Sequence, residues 1–540
     1  MNEVSRRSVL RLLGAGTATA TLGPYLAGCS AAGGAAGTGN SGREAAPWPT
    51  FVKAVGPTPD LPATLADSAV NGYYTYPSEL MQSVAEPPGD GSKISAQILT
   101  YSPPPNPASA NKLWAAINQA LNVDLQLNLV PAAEYAQKLA AVTATNDLPD
   151  TMLITSMPRA KQFVAAKCAD LTEYLSGDAI KEYPNLAAIP QYAWEAMGHV
   201  DGGIYGIPLP RARAASVFHV NRDQLDGVGA TDDWTRDQFV AAMKACSAGG
   251  RYGLGTWAGG GYAVEVFAGA FGAPNGWRVD GGTFTPAYAA PEYKEAIAFA
   301  RDLVKSGTFH PNSNTASQND IMTQYYAATL AAVPGNFMNY ANGVYFDRVG
   351  GRFTTDVSLP IGGQHSYLGS GIFGYTVFKK ADPERIKMLL RICNYLAAPY
   401  GTVEYETVSL GLEGEHFTRT SDGLTKTALA ETENENTVPV KYIADAMEFI
   451  QVPGNRKATQ RGFEVYEKVV ALGTPNPSLG LDSETADKDS VALGQKLSDL
   501  ANGIIAGRND LAEWDAAVQT YLRDGGQKMA DEFAAASAAR

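Results

Sequence analysis

The chain has 540 residues, 42 basic and 55 acidic side chains, and a formal net charge of −13. That length predicts two or more domains. The acidic balance argues against nucleic acid as a partner and against a polybasic membrane-binding face, since both need clustered Lys and Arg. Four cysteines in so long a chain make no disulfide framework. Cys29 stands alone near the N-terminus, and Cys168, Cys246 and Cys393 allow one pair whose members the sequence does not name.

The first 28 residues read as an export signal. Ser5-Arg6-Arg7-Ser8-Val9-Leu10 precedes an apolar run over 12–27, which closes on Leu26-Ala27-Gly28-Cys29. The run is too short and too rich in Gly, Ala and Thr for a membrane-spanning helix of about 20 residues. The arginine pair favours the Tat route over Sec. Cys29 resembles the acylated lipobox cysteine of bacterial lipoproteins. This implies a lipid anchor at the cell membrane and an extracytoplasmic location. At about 0.8 kcal/mol per buried methylene, two or three acyl chains hold where one does not. Residues 29–60 follow, rich in Gly, Ser, Thr and Ala and then in Pro47, Pro49, Pro57 and Pro59; they predict a flexible tether. Residues 61–92 form an N-terminal extension without a clear element pattern.

A strand–helix rhythm begins near residue 94. Ile94-Ser95-Ala96-Gln97-Ile98-Leu99 reads as a strand that exits through Tyr101-Ser102-Pro103. Residues 108–121 place Leu113, Ile117 and Leu121 on one helical face. A second strand over 125–130, a helix over 135–145 and a third strand over 150–154 complete the unit. This succession predicts a parallel sheet covered by helices. Ligands of such sheets sit beyond the carboxyl ends of the strands, which singles out Tyr101, Ser102 and Ser156. Further along come a short helix over 170–175, a hairpin at Asp201-Gly202-Gly203, a strand over 216–221 and a helix starting after Asn221. Another helix runs over 235–246, with Thr235 as its N-cap.

Several passages carry a specific resemblance. They are the lipobox, Gly202-Gly203-Ile204-Tyr205-Gly206-Ile207-Pro208, the junction Phe218-His219-Val220-Asn221-Arg222-Asp223, residues 327–336, and Gly411-Leu412-Glu413-Gly414-Glu415-His416-Phe417. In their order and spacing the chain resembles the family 1 bacterial extracellular solute-binding proteins, and among them the LipO-like receptor lipoproteins of carbohydrate ABC importers. The resemblance spans about residues 94–540. Arg211-Ala212-Arg213 and His219 depart from common versions, which bears on the solute rather than the fold.

The resemblance implies an α/β fold of two doubly wound lobes that exchange segments across a hinge, the type II periplasmic-binding-protein architecture. Lobe one is expected over 93–215 and again over 366–410, with a strand over 372–377 and a helix over 383–396. Lobe two is expected over 216–365, with 411–540 returning through the hinge to C-terminal helices mainly on lobe two. The implied function is capture of a carbohydrate, an oligosaccharide by preference, in the cleft between lobes and delivery to ABC permease subunits. The expected receptor is monomeric, without cofactor, metal or catalysis. The alternatives are a secreted carbohydrate-active lipoprotein enzyme, or a receptor of the same fold for a non-sugar solute such as a peptide.

Sugar recognition needs aromatic faces and planar polar groups. The glycine-rich stretch 253–262 offers Trp257 and Tyr262. Asn336, Phe337 and Tyr340 follow a strand expected to end at the cleft. Arg211 offers a planar fork suited to a carboxylate, or else to a hinge ion pair. Glu413 reads as a structural hydrogen-bonding group. The five histidines (His199, His219, His310, His365, His416) show no metal-binding spacing, and neither a Walker lysine nor a calcium loop of alternating aspartates occurs. Ala245-Cys246-Ser247-Ala248-Gly249 reads as a helix-ending turn rather than a nucleophile elbow.

Overall fold

The computed structural model describes residues 43–539, apart from 66–68, 146, 156, 215, 232 and 421–422. The export signal, Cys29 and the candidate Ser156 lie outside the described residues. Nine strands build the two main sheets: β1 (Lys93–Thr100), β2 (Asp124–Pro131), β3 (Thr151–Ile154), β4 (Ile207–Pro210), β5 (Ser216–Asn221), β6 (Tyr252–Leu254), β7 (Leu330–Asn336), β8 (Thr355–Val357) and β9 (Ile372–Phe378).

The first sheet has the order β2-β1-β3-β9-β4. Strand β1 runs parallel to β2 and β3, whereas β9 is antiparallel to both β3 and β4. The expectation of a parallel sheet therefore holds for 93–154 and fails further along, because β9 enters from the other lobe and runs the opposite way. The helix Lys112–Leu121 buries Leu113, Ile117 and Leu121 on this sheet, and Asn111 caps it by accepting from the Trp114 N–H. Strand β3 is buried along its whole length, as a central strand must be.

The second sheet has the order β8-β5-β7-β6, with β6 parallel to β7 and the other pairs antiparallel. Its core stacks Phe218, Phe239 and Phe267 with ring centroids 5.6–6.1 Å apart. The helix Arg236–Cys246 starts in a reciprocal capping box between Thr235 and Gln238. The C-terminal helices bury Leu493, Leu497, Trp514 and Phe533 in the same core.

Three segments cross between the lobes. Residues 211–216 and 366–371 run side by side: the Gly369 N–H donates to the Arg213 carbonyl at 2.7 Å, and Ala214 bridges Leu368. The third crossing leaves Ala444 in the lobe-one core and carries Ile450 and Val452 into a hinge core, together with Leu368, Phe463 and Tyr466.

Two expectations about the flanks change. Residues 43–60 are packed chain rather than tether. The N–H groups of Ala46 and Val52 donate to the carbonyls of Gly202 and Ala187, and Trp48 stacks on His199 with centroids 3.7 Å apart. One aromatic and a few backbone bonds suffice where an existing surface offers partners. Residues 61–92 then cross the hinge, where Val70 is fully buried and the Tyr73 N–H bonds to Ile450. They return to lobe one, where Ser83 and Val84 donate to Glu404. Residues 411–444 pack on lobe one rather than lobe two. Val438 and Val440 enter its core, and Glu433 accepts from the Lys112 and Leu113 N–H groups at the start of a lobe-one helix. His416 is wholly buried there, with Nε2 3.2 Å from Glu433, and the Leu412 N–H donates to its Nδ1. Gly411, at φ +90°, makes room for that ring, since a Cβ would sit 2.7 Å from it. Glu413 pairs with Arg419 at 3.0 Å. Cys168, Cys246 and Cys393 are all buried and unpaired, and burial pushes the Cys168 thiol up to about 12.

Candidate functional site

The carboxyl ends of β1 and β4 and the amino end of antiparallel β9 share one edge of the first sheet. Three segments meet there. Tyr101, just past β1, keeps 71% of its surface exposed and lies 6.4 Å from Tyr442. Phe373, at the start of β9, lies 5.0 Å from the same Tyr442 ring. The Arg211 guanidinium, one residue past β4, stands 5.4 Å from the centre of Phe373. Tyr442 itself belongs to the lobe-one core, so the rings left open are Tyr101 and, in part, Phe373, with the cation beside them.

That cation is already engaged. Arg211 Nη1 donates to Asp445 at 2.9 Å, and its Nε stands 3.9 Å from Glu448. Glu448 also accepts from the Ala212 N–H at 2.6 Å, which fastens the first crossing segment to the third. Burial works against the guanidinium charge, but Asp445 and Glu448 outweigh it and raise the Arg211 pKa. At Asp445 the balance is reversed: burial lifts its pKa to about 6 despite the opposing pull of Arg211 and Lys441. Lys441 is itself paired with Glu435 at 3.3 Å. Ser102 forms a local turn, its N–H donating to Thr100 Oγ1 at 3.0 Å.

The facing edge of the second sheet is built differently. Asn336 ends β7 and is exposed, but its Oδ1 accepts from the Met338 N–H, and its backbone carbonyl accepts from His219 Nε2 at 3.0 Å. That bond assigns the proton to Nε2. Burial lowers the His219 pKa to about 3, so this departure from the common pattern is a neutral core histidine. Phe337 is fully buried against Tyr466, Tyr340 is buried against Phe346, and Tyr262 is buried edge-on to Phe309. The expectation that these three rings face a solute is therefore corrected. Each sits beside a hydrophobic cluster, where burying a ring stabilises more than leaving it wet. Trp257 is half-buried on the outer cluster of lobe two, and its loop is held by Thr256 Oγ1 donating to the Ser313 carbonyl.

Instead, the second edge carries a recess of about 100 Å³ lined by Ser216, Glu265, Ser358, His365 and Tyr367 among others. Glu265 is exposed, yet surrounding protein raises its pKa through burial; Tyr293 donates its hydroxyl to Oε1 at 2.7 Å. A larger recess, about 680 Å³, lies beside the crossing segments and is lined by Phe51, Tyr192, Arg213, Ser370 and Asn476 among others. Arg213 stands 5.1 Å from the Tyr192 ring centre. Five residues separate Arg211 from Ser216, a reach of at most about 17 Å, so the two edges flank one short connection.

The sequence singles out Tyr101 and Ser102 as strand-end residues and Arg211 for its planar fork; the structure places Tyr101 and Arg211 near Tyr442 and Phe373 and turns Ser102 back on Thr100. Sequence reasoning missed Phe373, although the strand over 372–377 was legible; its antiparallel direction, which puts its first residues at the edge, was not. Tyr442 closes the single 3-10 turn Val440–Tyr442, and Asp445 and Glu448 lie in the irregular chain after it, with no periodicity to mark them. Glu265 is a lone carboxylate on the helix Val264–Ala270.

Comparison with known proteins decides the family. The model of the family described as bacterial extracellular solute-binding protein matches residues 102–385, more than half of the chain. This chain belongs to that family. The solute-binding protein is 22% identical over 465 residues to the polygalacturonan/rhamnogalacturonan-binding protein YtcQ of Bacillus subtilis (strain 168), covering 82% of this chain and 91% of that one. It is 21% identical to Lipoprotein LipO of the same organism over 466 residues, with the same coverage of both chains. Among solved structures it is similar to the alginate-binding protein AlgQ2, with TM-score 0.60 and 13% identity over 85% of this chain and 99% of that one. It is also similar to the N-glycan transport solute-binding protein NgtS of Streptococcus pneumoniae, with TM-score 0.59 and 17% identity over 82% of this chain and 99% of that one. These structural likenesses establish the type II periplasmic-binding-protein fold of this solute-binding protein, and family membership establishes an extracytoplasmic binding role.

Proposed function

We propose that this solute-binding protein captures an oligosaccharide between its lobes and hands it to the permease subunits of an ABC importer. The observation that carries this reading is the pair of open rings Tyr101 and Phe373, both packed on the buried Tyr442 at the strand-end edge of lobe one, with Arg211, Asp445 and Glu448 beside them. Aromatic faces cover the C–H side of a pyranose, and the charged groups bond its hydroxyls. Names of the relatives and neighbours, which refer to polygalacturonan, alginate and N-glycan, support a carbohydrate. Ligand closes the lobes by binding the closed form more tightly. The mature receptor is a monomer anchored through acylated Cys29 after Tat export, and it carries out no chemistry on its cargo.

The test is a thermal-shift screen of the full chain carrying Cys29→Ser against oligosaccharides, polyols and peptides, with mass spectrometry of the ligand afterwards. A ligand at 100 times its Kd raises stability by about 2.7 kcal/mol. Sugar hits recovered unchanged support the reading; hits among peptides alone, or cleaved sugar, overturn it. Lipid attachment is tested by a mass gain on the mature N-terminal peptide in the wild type that is absent from the Cys29→Ser chain.

A further inference from the structure

We propose that the cleft is built for a neutral oligosaccharide and discriminates against uronates, with Glu265 as the specificity-determining group on lobe two. This rests on the carbohydrate reading above and narrows it to one charge class.

Both sheet edges present acceptors and withhold cations. In the lobe-two recess Glu265 is the carboxylate, His365 and Tyr367 are the other ionisable side chains, and no Lys or Arg is among the lining residues. Tyr293 occupies Glu265 Oε1 at 2.7 Å, and no described residue donates to Oε2. A carboxylate held in this way takes a sugar hydroxyl as donor, and charge assistance makes that bond strong. A uronate placed at the same point brings a second negative charge into a partly desolvated recess, where like charges repel far more than in water. At the lobe-one edge, Arg211 is the cation beside Phe373, and Asp445 and Glu448 have already claimed it. Lys441 is held by Glu435. A ligand carboxylate approaching either cation therefore meets the charge of Asp445, Glu448 or Glu435 already beside it. Arg213 stands apart from this arrangement, over Tyr192 in the larger recess.

The experiment uses the full Cys29→Ser chain and titration calorimetry at pH 8. Neutral hexose oligosaccharides of two to six units and their counterparts oxidised at C6 to uronates are titrated as matched pairs. The neutral member of each binding pair is expected to bind at least tenfold more tightly. Glu265→Gln is expected to weaken the neutral member and to shrink the gap below threefold. Asp237→Asn removes an exposed carboxylate from another helix of lobe two, away from the recess, so it is expected to keep the gap; it serves as the folding and net-charge control, with thermal unfolding measured for all three chains. A uronate that binds as tightly as its neutral partner, or a gap unchanged in a folded Glu265→Gln chain, overturns the proposal and leaves the carbohydrate reading standing. Absence of binding by sugars of either charge overturns the carbohydrate reading, and this proposal falls with it.

Discussion

The two sheet edges that flank the hinge solve different problems. Lobe one brings Tyr101 and Phe373 from distant stretches onto a buried Tyr442, leaving both rings open, and pairs the neighbouring Arg211 with acids. Lobe two draws its rings, Tyr262, Phe337 and Tyr340, into buried clusters and leaves a small, mostly apolar recess beside Glu265. An aromatic residue near a strand end is thus no guide to ligand contact by itself. What matters is whether an apolar cluster stands close enough to claim the ring first.

Four measurements sharpen that contrast. The largest effect is expected at Phe337, where truncation to alanine empties a fully buried site and costs about 4 kcal/mol of stability. Chemical denaturation reads it, and ligand affinity per folded molecule is expected to stay within twofold; a tenfold affinity loss would put the ring back in the solute's path. Arg211→Ala leaves Asp445 and Glu448 without their cation in a site with 20% of the arginine side chain exposed. A cost of about 2 kcal/mol is expected, between the values for buried and exposed pairs. Tyr101→Ala is expected to do the opposite of Phe337→Ala. Stability holds within about 0.5 kcal/mol, while binding weakens about fivefold, which corresponds to about 1 kcal/mol of lost ring contact. Unchanged affinity would remove Tyr101 from the platform.

The smallest effect is a slope with pH. Asp445 has a folded pKa of about 6 against 3.8 for the ordinary group. Between these values the folded chain holds a proton that the unfolded chain releases. The Asp445 contribution to stability therefore falls as pH rises through that window and is flat beyond it. Asp445→Asn is expected to flatten this part of the stability profile measured from pH 4 to 7. An unchanged slope would assign the titration to another group. Glu435, Lys441 and Arg211 face Asp445, and their charges remain in the variant.

Much of the architecture was legible because it is written locally. Leu113, Ile117 and Leu121 mark a helix by spacing, and Thr235 announces the next by its capping box. The site was less legible because it is assembled by direction and distance. Strand-end logic pointed to Tyr101, yet it could not see that β9 runs antiparallel and delivers Phe373 to the same edge. The chain over 443–449 has no regular element to predict, although it supplies Asp445 and Glu448, and Tyr442 stands at the end of one short turn before it. Proline and glycine content in 43–60 argued for disorder in isolation. It said nothing of the carbonyls that lobe one holds out to that segment.

The N-terminal segment has a mechanical consequence. It is fastened to lobe one at Gly202 and Ala187, threaded through the hinge core at Val70 and Ile450, and fastened to lobe one again at Glu404. A ribbon fastened to one lobe at both ends and wedged into the joint between them stiffens that joint, so each swing of the lobes works against its packing at Val70 and Ile450 as well as against the three crossings. A shortened chain beginning at β1 would swing on a slacker joint, with the apolar face beneath Val70 open to water. Its affinity would describe that looser device rather than the receptor.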